Sequence, residues 1–89
     1  MFVLYAGEPD PSAYAEHVEL CRRVAGATFR HGTVFGSPTG DPKYRYYAEF
    51  EFPDRESFKD AARTEEFAAT GRHARDLGVE FEVYFADVD

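Results

Sequence analysis

The sequence predicts an α+β fold of the ferredoxin-like kind, in which a βαββαβ chain forms a four-stranded antiparallel sheet with its helices on one face. Three observations support this fold. The stretch 43–52 alternates aromatic and polar residues with a period of two, as a half-buried strand does. Two segments begin with an acidic cap and then repeat apolar residues every three or four positions, as amphipathic helices do. The stretch 79–85 again alternates with a period of two.

The stretch 43–52, KYRYYAEFEF, is the strand that the rest of the chain must cover. A helix of the same sequence would scatter its aromatic rings, whereas a strand collects them on one face. One predicted face carries Tyr44, Tyr46, Ala48, Phe50 and Phe52, and the other carries Lys43, Arg45, Tyr47, Glu49 and Glu51.

The first part of the chain supplies a strand, a helix and a second strand. Residues 2–6 are predicted to form the first strand. Asp10 caps a helix that begins at Pro11, because proline at the first helical position loses no hydrogen bond. The helix runs to about Val24, and a glycine two residues later ends it. Alternation with a period of two then resumes over 28–35.

The second part of the chain repeats this pattern from a hairpin onward. The loop 36–42 is too short for a crossover helix, so the strands on either side of it are antiparallel neighbours. After the central strand, Asp54 caps a helix and Thr64 restarts it, with acidic residues in the new first turn that suit the helix dipole. Gly78 ends this helix, and the final strand covers 79–85.

Helices on one face leave the other face of the sheet to water or to a partner. Half-solvated antiparallel sheets are common, but the small core and the large rings on this face favour a homodimer with two-fold symmetry. Carboxylates in that interface would need Arg30, Arg45 or trapped water opposite them. The predicted members of this face are Arg45, Tyr47, Glu49, Glu51, Glu80, Glu82 and Tyr84, with Val3 and Tyr5 as further candidates.

Length, charge and cysteine content narrow the class of protein. We expect one domain over residues 1–89. A net charge of -7 repels a phosphate backbone, so nucleic acid is excluded as the main partner. The chain has no run of eighteen apolar residues and does not open with a signal-peptide pattern. Cys21 has no cysteine to pair with and is expected to be a small buried apolar group. These features predict a cytoplasmic protein that does not bind membranes.

Two segments resemble the EthD-like family of small proteins. The segment 10–26, DPSAYAEHVELCRRVAG, is similar to the first-helix signature of that family. The segment 44–67, YRYYAEFEFPDRESFKDAARTEEF, is similar to its later strand and the capped, Phe-containing helix that follows. The residues that carry the first resemblance are Asp10, Pro11, Tyr14, His17 and Val18.

The resemblance implies a dimeric α+β barrel, in which two ferredoxin-like subunits face each other across their sheets. The family name comes from an association with degradation of ethyl tert-butyl ether. Relatives in the wider barrel group include cofactor-free monooxygenases, haem-degrading enzymes, isomerases and ligand sensors, so the fold does not settle the function. The chain has no Trp, and residues 57–73 only loosely resemble the helix that carries the haem-ligating His in haem-degrading relatives. We therefore expect neither haem nor another cofactor.

The three histidines are the residues that titrate near neutral pH. His17 belongs to the family signature and lies on the inner side of the first helix, where it could act as a catalytic acid or base. A core or rim histidine with one hydrogen bond is the alternative. His31 shares a strand face with Phe29 and Phe35, and His73 is expected at the surface near the end of the last helix. Their spacing does not make the three imidazoles converge on an ion, so no metal site is predicted.

The aromatic side of the sheet and the inner side of the helices form a wall suited to a flat or apolar small molecule. Ordinary core packing is the alternative explanation for the same residues. The predicted ligand-binding residues are Tyr14, Val18, Phe29, His31, Tyr44, Tyr46, Phe50 and Phe67.

Two functions remain open at this point. The first is a monooxygenase-like or isomerase-like enzyme in which His17 moves protons, and it predicts an enclosed cavity that reaches His17. The second is a non-catalytic module that binds a small molecule or a partner enzyme, as an accessory to a degradation or oxidation pathway. We favour the second, because no pair of groups is forced by its spacing to cooperate chemically.

Overall fold

The computed structural model describes residues 1–88 and has the predicted fold class. Its four strands are antiparallel neighbours in the order β2-β3-β1-β4. The elements in chain order are β1 (Phe2–Tyr5), α1 (Pro11–Arg22), β2 (Thr28–Thr33), β3 (Tyr46–Glu51), α2 (Arg55–Ala62), α3 (Glu65–Asp76) and β4 (Phe81–Tyr84). The order is βαββαβ, with the second crossover divided between α2 and α3.

The predicted helix starts are confirmed by their capping hydrogen bonds. The Asp54 carboxylate accepts a hydrogen bond of 2.7 Å from the Ser57 backbone N–H and caps α2. Thr64 Oγ1 accepts one of 3.2 Å from the Phe67 backbone N–H and starts α3. Asp10 caps α1 in the same way. Because each cap satisfies a backbone donor that the first helical turn leaves free, the breaks between helices follow directly from these side chains.

The regular strands are shorter than the alternating patterns that predict them. Hydrogen bonds of strand type nevertheless continue past the end of β2, where the Val34 N–H donates to the Arg45 carbonyl oxygen at 2.9 Å. Phe35 is fully exposed, so its place in the alternating pattern does not bury it. Helix α1 also ends earlier than predicted, at Arg22, and Gly26 with φ +83° turns the chain toward β2.

One face of the sheet, which we call the front face, is covered by the helices. Register places Val3 of β1 opposite Ala48 of β3, and both are buried on this face, as is Tyr5. The prediction that Val3 and Tyr5 lie on the uncovered face is therefore wrong. Phe2 and Leu4 occupy it instead. The four residues of β1 are all apolar or aromatic, so the sequence alone does not show which of them point toward the helices.

The core on the front face is aromatic. Phe50 is 2% exposed, and its ring centroid lies 5.0 Å from that of Phe29 and 6.2 Å from that of Phe67. Cys21 is buried in the same cluster, as its prediction as a small apolar group requires. Aromatic pairs at these separations add to the free energy of burial. This packing holds α1 and α3 against the centre of the sheet.

The opposite face, which we call the rear face, carries charged side chains that pair within the chain. Arg30 donates hydrogen bonds of 2.5 Å to the carboxylates of Glu49 and Glu51. The hydrogen bonds that Arg30 donates, first to Glu51 and then to Glu49, raise the pKa of its guanidinium. The ring of Tyr47 lies across Gly32, so that a Cβ built at Gly32 would approach Tyr47 Cε1 to 2.8 Å. The predicted need of these carboxylates for Arg30 is thus met within a single chain.

Candidate functional site

His17 lies at the centre of a polar cluster between α1, α3 and the sheet. The positions of α1 that face the sheet are His17, Val18 and Cys21, and the spacing of three and four residues puts them on one side of the helix. His17 is 3% exposed, and the Tyr5 hydroxyl on β1 lies 2.8 Å from its Nε2 atom. Cys21 Sγ is 3.7 Å from the same nitrogen. Buried polar groups of this kind need such partners.

The second nitrogen of His17 faces α3. His17 Nδ1 lies 3.2 Å from Nδ1 of His73, and the two imidazole rings stack with their centroids 5.3 Å apart. His73 Nε2 is 3.6 Å from the Glu16 carboxylate. The side chain of His73 is 20% exposed, so His73 lies partly buried at the rim of the cluster and still reaches water, rather than lying freely at the surface. Its position follows from the packing of α3 against α1, which sequence periodicity does not determine.

Burial controls the protonation of this cluster. Burial and, to a smaller extent, the nearby His73 lower the pKa of His17 to about 4, so the imidazole is neutral at neutral pH. Burial raises the pKa of the Tyr5 hydroxyl and raises the pKa of the Cys21 thiol to about 12. Cys21 is therefore a thiol and not a nucleophilic thiolate. Tyr5, His17 and Cys21 are therefore all uncharged at neutral pH.

Tyr14 has a buried hydroxyl that makes no hydrogen bond within residues 1–88. Its ring centroid lies 5.0 Å from that of Tyr46, 6.0 Å from that of His31 and 6.2 Å from that of Tyr5. Burial is the largest cause of the raised pKa of Tyr14, followed by the nearby Cys21. We call the region between α1 and the sheet where the side chains of Tyr14, His17, His31 and Tyr46 meet the α1 cleft. His31 is exposed, so this region borders the surface at the edge strand β2.

The structure divides the predicted site residues into three groups. Tyr14, His17, His31 and Tyr46 come together in the α1 cleft. Tyr44 lies apart from them, beside a small cavity of about 310 Å³ whose lining includes Arg75. The remaining four belong to the packed interior, where Val18 is buried on α1 and Phe29, Phe50 and Phe67 pack ring to ring.

A larger groove, of about 670 Å³, lies between the end of the sheet, the start of α2 and residues 85–88. Phe58 and Phe85 pack against each other there in a tilted arrangement, with ring centroids 5.2 Å apart, and Arg55 forms an ion pair with Asp87 at the edge of the groove. A further cavity of about 500 Å³ lies beside Arg30. The four residues of the α1 cleft, Tyr14, His17, His31 and Tyr46, line none of these three cavities.

Sequence reasoning missed Tyr5 and His73 as members of the cluster around His17. Tyr5 was missed because the sequence does not show which residues of β1 point toward the helices. His73 was missed because its position depends on how α3 packs against α1. Within residues 1–88, no three His, Cys, Asp or Glu side chains are grouped so that they could hold a metal ion. Among the helices of that same stretch, none has both the length and the apolar character needed to cross a membrane.

Comparison with solved structures identifies a relative of known fold. An ethyl tert-butyl ether D (EthD) family protein from Bacillus halodurans C-125 is 27% identical to this chain, and the match covers 94% of this chain and 95% of that protein, with a TM-score of 0.72. No protein-family model and no curated protein matches the sequence. The resemblance to the EthD-like family is thereby confirmed for the fold. This chain has the EthD-like, ferredoxin-like α+β fold.

Proposed function

We propose that this protein binds an apolar or aromatic small molecule in the α1 cleft, between helix α1 and the sheet. The observation that carries the proposal is the buried Tyr14 hydroxyl, which has no hydrogen-bond partner among residues 1–88. A buried hydroxyl left unpaired destabilises a protein by about 1–3 kcal/mol. A bound molecule with one polar atom would satisfy this hydroxyl, and the rings of Tyr46 and His31 would contact its apolar body.

The composition of the cleft suits a flat ligand better than a charged one. Its walls are aromatic, and the neutral His17 adds a hydrogen-bonding group without adding a charge. Sites for small molecules commonly combine apolar walls with a few polar groups that orient the ligand. We propose that such a ligand belongs to a degradation or oxidation pathway, in which this protein is an accessory module in the cytoplasm. The similarity to an EthD family protein supports that assignment by analogy alone.

A single substitution tests whether Tyr14 serves a ligand or only packs in the core. Tyr14→Phe removes the hydroxyl and keeps the ring, so the unliganded protein should gain about 1 kcal/mol in free energy of unfolding. If the hydroxyl serves a ligand, the same change should weaken binding of a flat phenol such as 1-naphthol by about 10-fold, equivalent to about 1.4 kcal/mol. Tyr47→Phe, at a tyrosine on the rear face of β3, is the matched control and should change neither quantity.

Two measurements decide the proposal. Native mass spectrometry of the protein purified from its own host should reveal a co-purifying small molecule, and titration of the purified protein with 1-naphthol should shift the NMR resonances of Tyr14 and Tyr46. A native mass equal to that of the ligand-free chain or of its ligand-free dimer, together with no shift at either tyrosine, would overturn small-molecule binding in the α1 cleft.

We further propose that two copies associate through the rear face of the sheet. Phe2 and Tyr84 lie on this face and are 38% and 51% exposed, although both are large and apolar or aromatic. The charged side chains next to Phe2, on β2 and β3, are already paired, because Arg30 bonds to Glu49 and Glu51. A partner would therefore cover the rings without leaving these carboxylates unpaired.

Analytical ultracentrifugation tests the dimer directly. The unmodified chain should sediment as a dimer, and Phe2→Glu should convert it to a monomer by placing a charge in the interface. Phe35→Glu, at a fully exposed phenylalanine in the loop between β2 and β3, should leave the dimer intact. A monomeric unmodified chain at concentrations of about 100 μM, well above the Kd of a stable dimer, would rule out the dimer.

A second candidate function is supported by the row of contacts from Tyr5 through His17 to His73. These groups could move a proton during oxidation of a phenol, as in a cofactor-free monooxygenase, or during an isomerisation. With 1-naphthol and dioxygen the products would be a naphthoquinone and water. Oxygen uptake that is abolished in His17→Gln, with the dimer still folded, would favour this enzyme. Absence of uptake in the unmodified protein would exclude this oxidation.

A further inference from the structure

Four side chains form an unbroken row from the buried sheet to the surface between α1 and α3. The Tyr5 hydroxyl lies 2.8 Å from His17 Nε2, and His17 Nδ1 lies 3.2 Å from His73 Nδ1. His73 Nε2 then lies 3.6 Å from the Glu16 carboxylate. The row begins at a residue that is 1% exposed and ends at a carboxylate side chain that is 77% exposed.

The order of donors and acceptors along this row follows from the chemistry of the groups. A neutral imidazole has one N–H donor and one acceptor nitrogen. The Glu16 carboxylate is negative, so at 3.6 Å it favours the His73 tautomer with its proton on Nε2. His73 Nδ1 is then an acceptor, and the proton between the two rings belongs to His17 Nδ1. His17 Nε2 is left as the acceptor of the Tyr5 hydroxyl.

One proton added at the outer end reverses this order. When His73 takes a proton from water, both of its nitrogens become donors, and its Nδ1–H must donate to His17 Nδ1. His17 stays neutral, so its own proton has to lie on Nε2, from which it donates to the Tyr5 oxygen. The Tyr5 O–H is then free to donate to another group. One proton enters from water, one hydrogen changes position on His17, and the net charge of the row rises by one.

Few other charged groups lie near the imidazole rings of His17 and His73. On α1, His17 is flanked by Tyr14 and Cys21, which are both uncharged. On α3, the guanidinium of Arg72 pairs with Glu65, and Nε of Arg75 donates to the Gly71 carbonyl oxygen. Glu16 is therefore the charged group whose distance to His73 is shortest among the contacts described for residues 1–88.

We propose that His73 is a positioning residue that sets which nitrogen of His17 carries the proton, and thereby makes the hydrogen-bonding character of the α1 cleft depend on pH. The row adjoins the α1 cleft through the contact of Tyr5 with Tyr14. The effect of this pH dependence on a bound ligand rests on the proposed function. In the neutral state the Tyr5 hydroxyl is committed to His17. In the protonated state that hydroxyl becomes available to a neighbouring acceptor.

The tautomers can be measured without any ligand. Nitrogen-15 NMR of the histidine rings distinguishes a protonated from an unprotonated ring nitrogen. In the unmodified protein at about pH 8, we expect His17 to carry its proton on Nδ1. In a titration toward lower pH, we expect that proton to move to Nε2 at the same pH at which the spectrum shows His73 gaining its second ring proton. His73→Phe keeps a stacked ring but removes both nitrogens, so the pH-dependent change at His17 should disappear. His31→Phe, at an exposed histidine outside the row, should leave the change at His17 intact.

Two outcomes would overturn the proposal. One is a His17 proton on Nε2 at about pH 8 in the unmodified protein. The other is a pH-dependent change at His17 that persists in His73→Phe. If that variant does not fold, the titration of the unmodified protein still decides, because it tests the order of protons directly. Failure of 1-naphthol to bind would remove the proposed ligand function but would leave these spectra, and thus this inference, unaffected.

Discussion

The two faces of the sheet hold their polar groups in opposite ways. On the front face, Tyr5 and His17 are buried, uncharged and hydrogen-bonded to each other. On the rear face, Arg30 and its two glutamates are charged and lie at the surface. Removing a buried partner leaves an unsatisfied group, whereas removing an exposed one leaves a group that water can solvate. The same sheet therefore concentrates its stability and its candidate chemistry on the covered face.

The largest effect should come from the aromatic core of the front face. Phe50 is 2% exposed and packs against Phe29 and Phe67, so Phe50→Ala should lower the free energy of unfolding by about 3–5 kcal/mol. Urea unfolding monitored by circular dichroism measures this loss of stability. Phe35→Ala, at a fully exposed phenylalanine, is the control, with an expected change within about 0.5 kcal/mol. Similar losses for the two variants would show that the front face does not dominate stability.

Protonation of His17 should have a smaller effect on the free energy of unfolding. Its pKa is lowered from 6.5 to about 4 in the folded protein, so the unfolded chain binds more protons between these two values. Stability is fully present above about pH 6.5, falls as the pH decreases toward 4, and levels off for this group below that. One pKa unit corresponds to about 1.4 kcal/mol, and water near His73 screens part of the effect, so we expect a loss of about 2 kcal/mol.

Urea unfolding at a series of pH values measures the contribution of His17. The slope between about pH 6.5 and about pH 4 should be shallower in His17→Gln than in the unmodified protein, because the variant has no imidazole to protonate there. His31→Gln, at an exposed histidine, should keep the slope. Equal slopes in all three proteins would mean that His17 is not buried as a neutral group.

The charged side chains of the rear face should have a still smaller effect on stability. High salt should remove that effect. Arg30→Gln breaks the contacts with Glu49 and Glu51, all of which lie at the surface. We expect a slight decrease in melting temperature at low ionic strength and no difference at about 1 M salt, where the Debye length is about 3 Å. Differential scanning calorimetry at both salt concentrations checks this, and a difference that survives at high salt would contradict the contrast between the faces.

The smallest expected effect concerns Gly32 on the rear face. A Cβ at this position would approach Tyr47 Cε1 to 2.8 Å, but the atoms it meets are at the far end of a side chain that can turn away. Gly32→Ala should therefore change the free energy of unfolding by less than about 0.5 kcal/mol, since the strain is offset by the lower entropy of the unfolded chain. A loss several times larger, measured by urea unfolding, would indicate that the Tyr47 ring is held as rigidly as the front-face rings.

Much of the fold was predictable because its determinants are local. Asp54 and Thr64 satisfy backbone donors only a few residues away, so each helix start is visible in the sequence. Alternation over β3 likewise shows which of its side chains point inward. The candidate site was predictable in part. His17, Tyr14, His31 and Tyr46 come together because each lies on the inner side of its own element, although their use by a ligand stays a prediction.

By itself, the sequence determined the order of the elements, the caps of the helices and the aromatic face of the central strand, since these depend on neighbouring residues and on periods of two and 3.6. Only the tertiary structure decided the phase of β1, which buries Tyr5, and the contact of α3 with α1, which sets His73 against His17. Both depend on register and helix packing between residues far apart in the chain. The row of contacts from Tyr5 to Glu16 therefore cannot be predicted from the sequence alone.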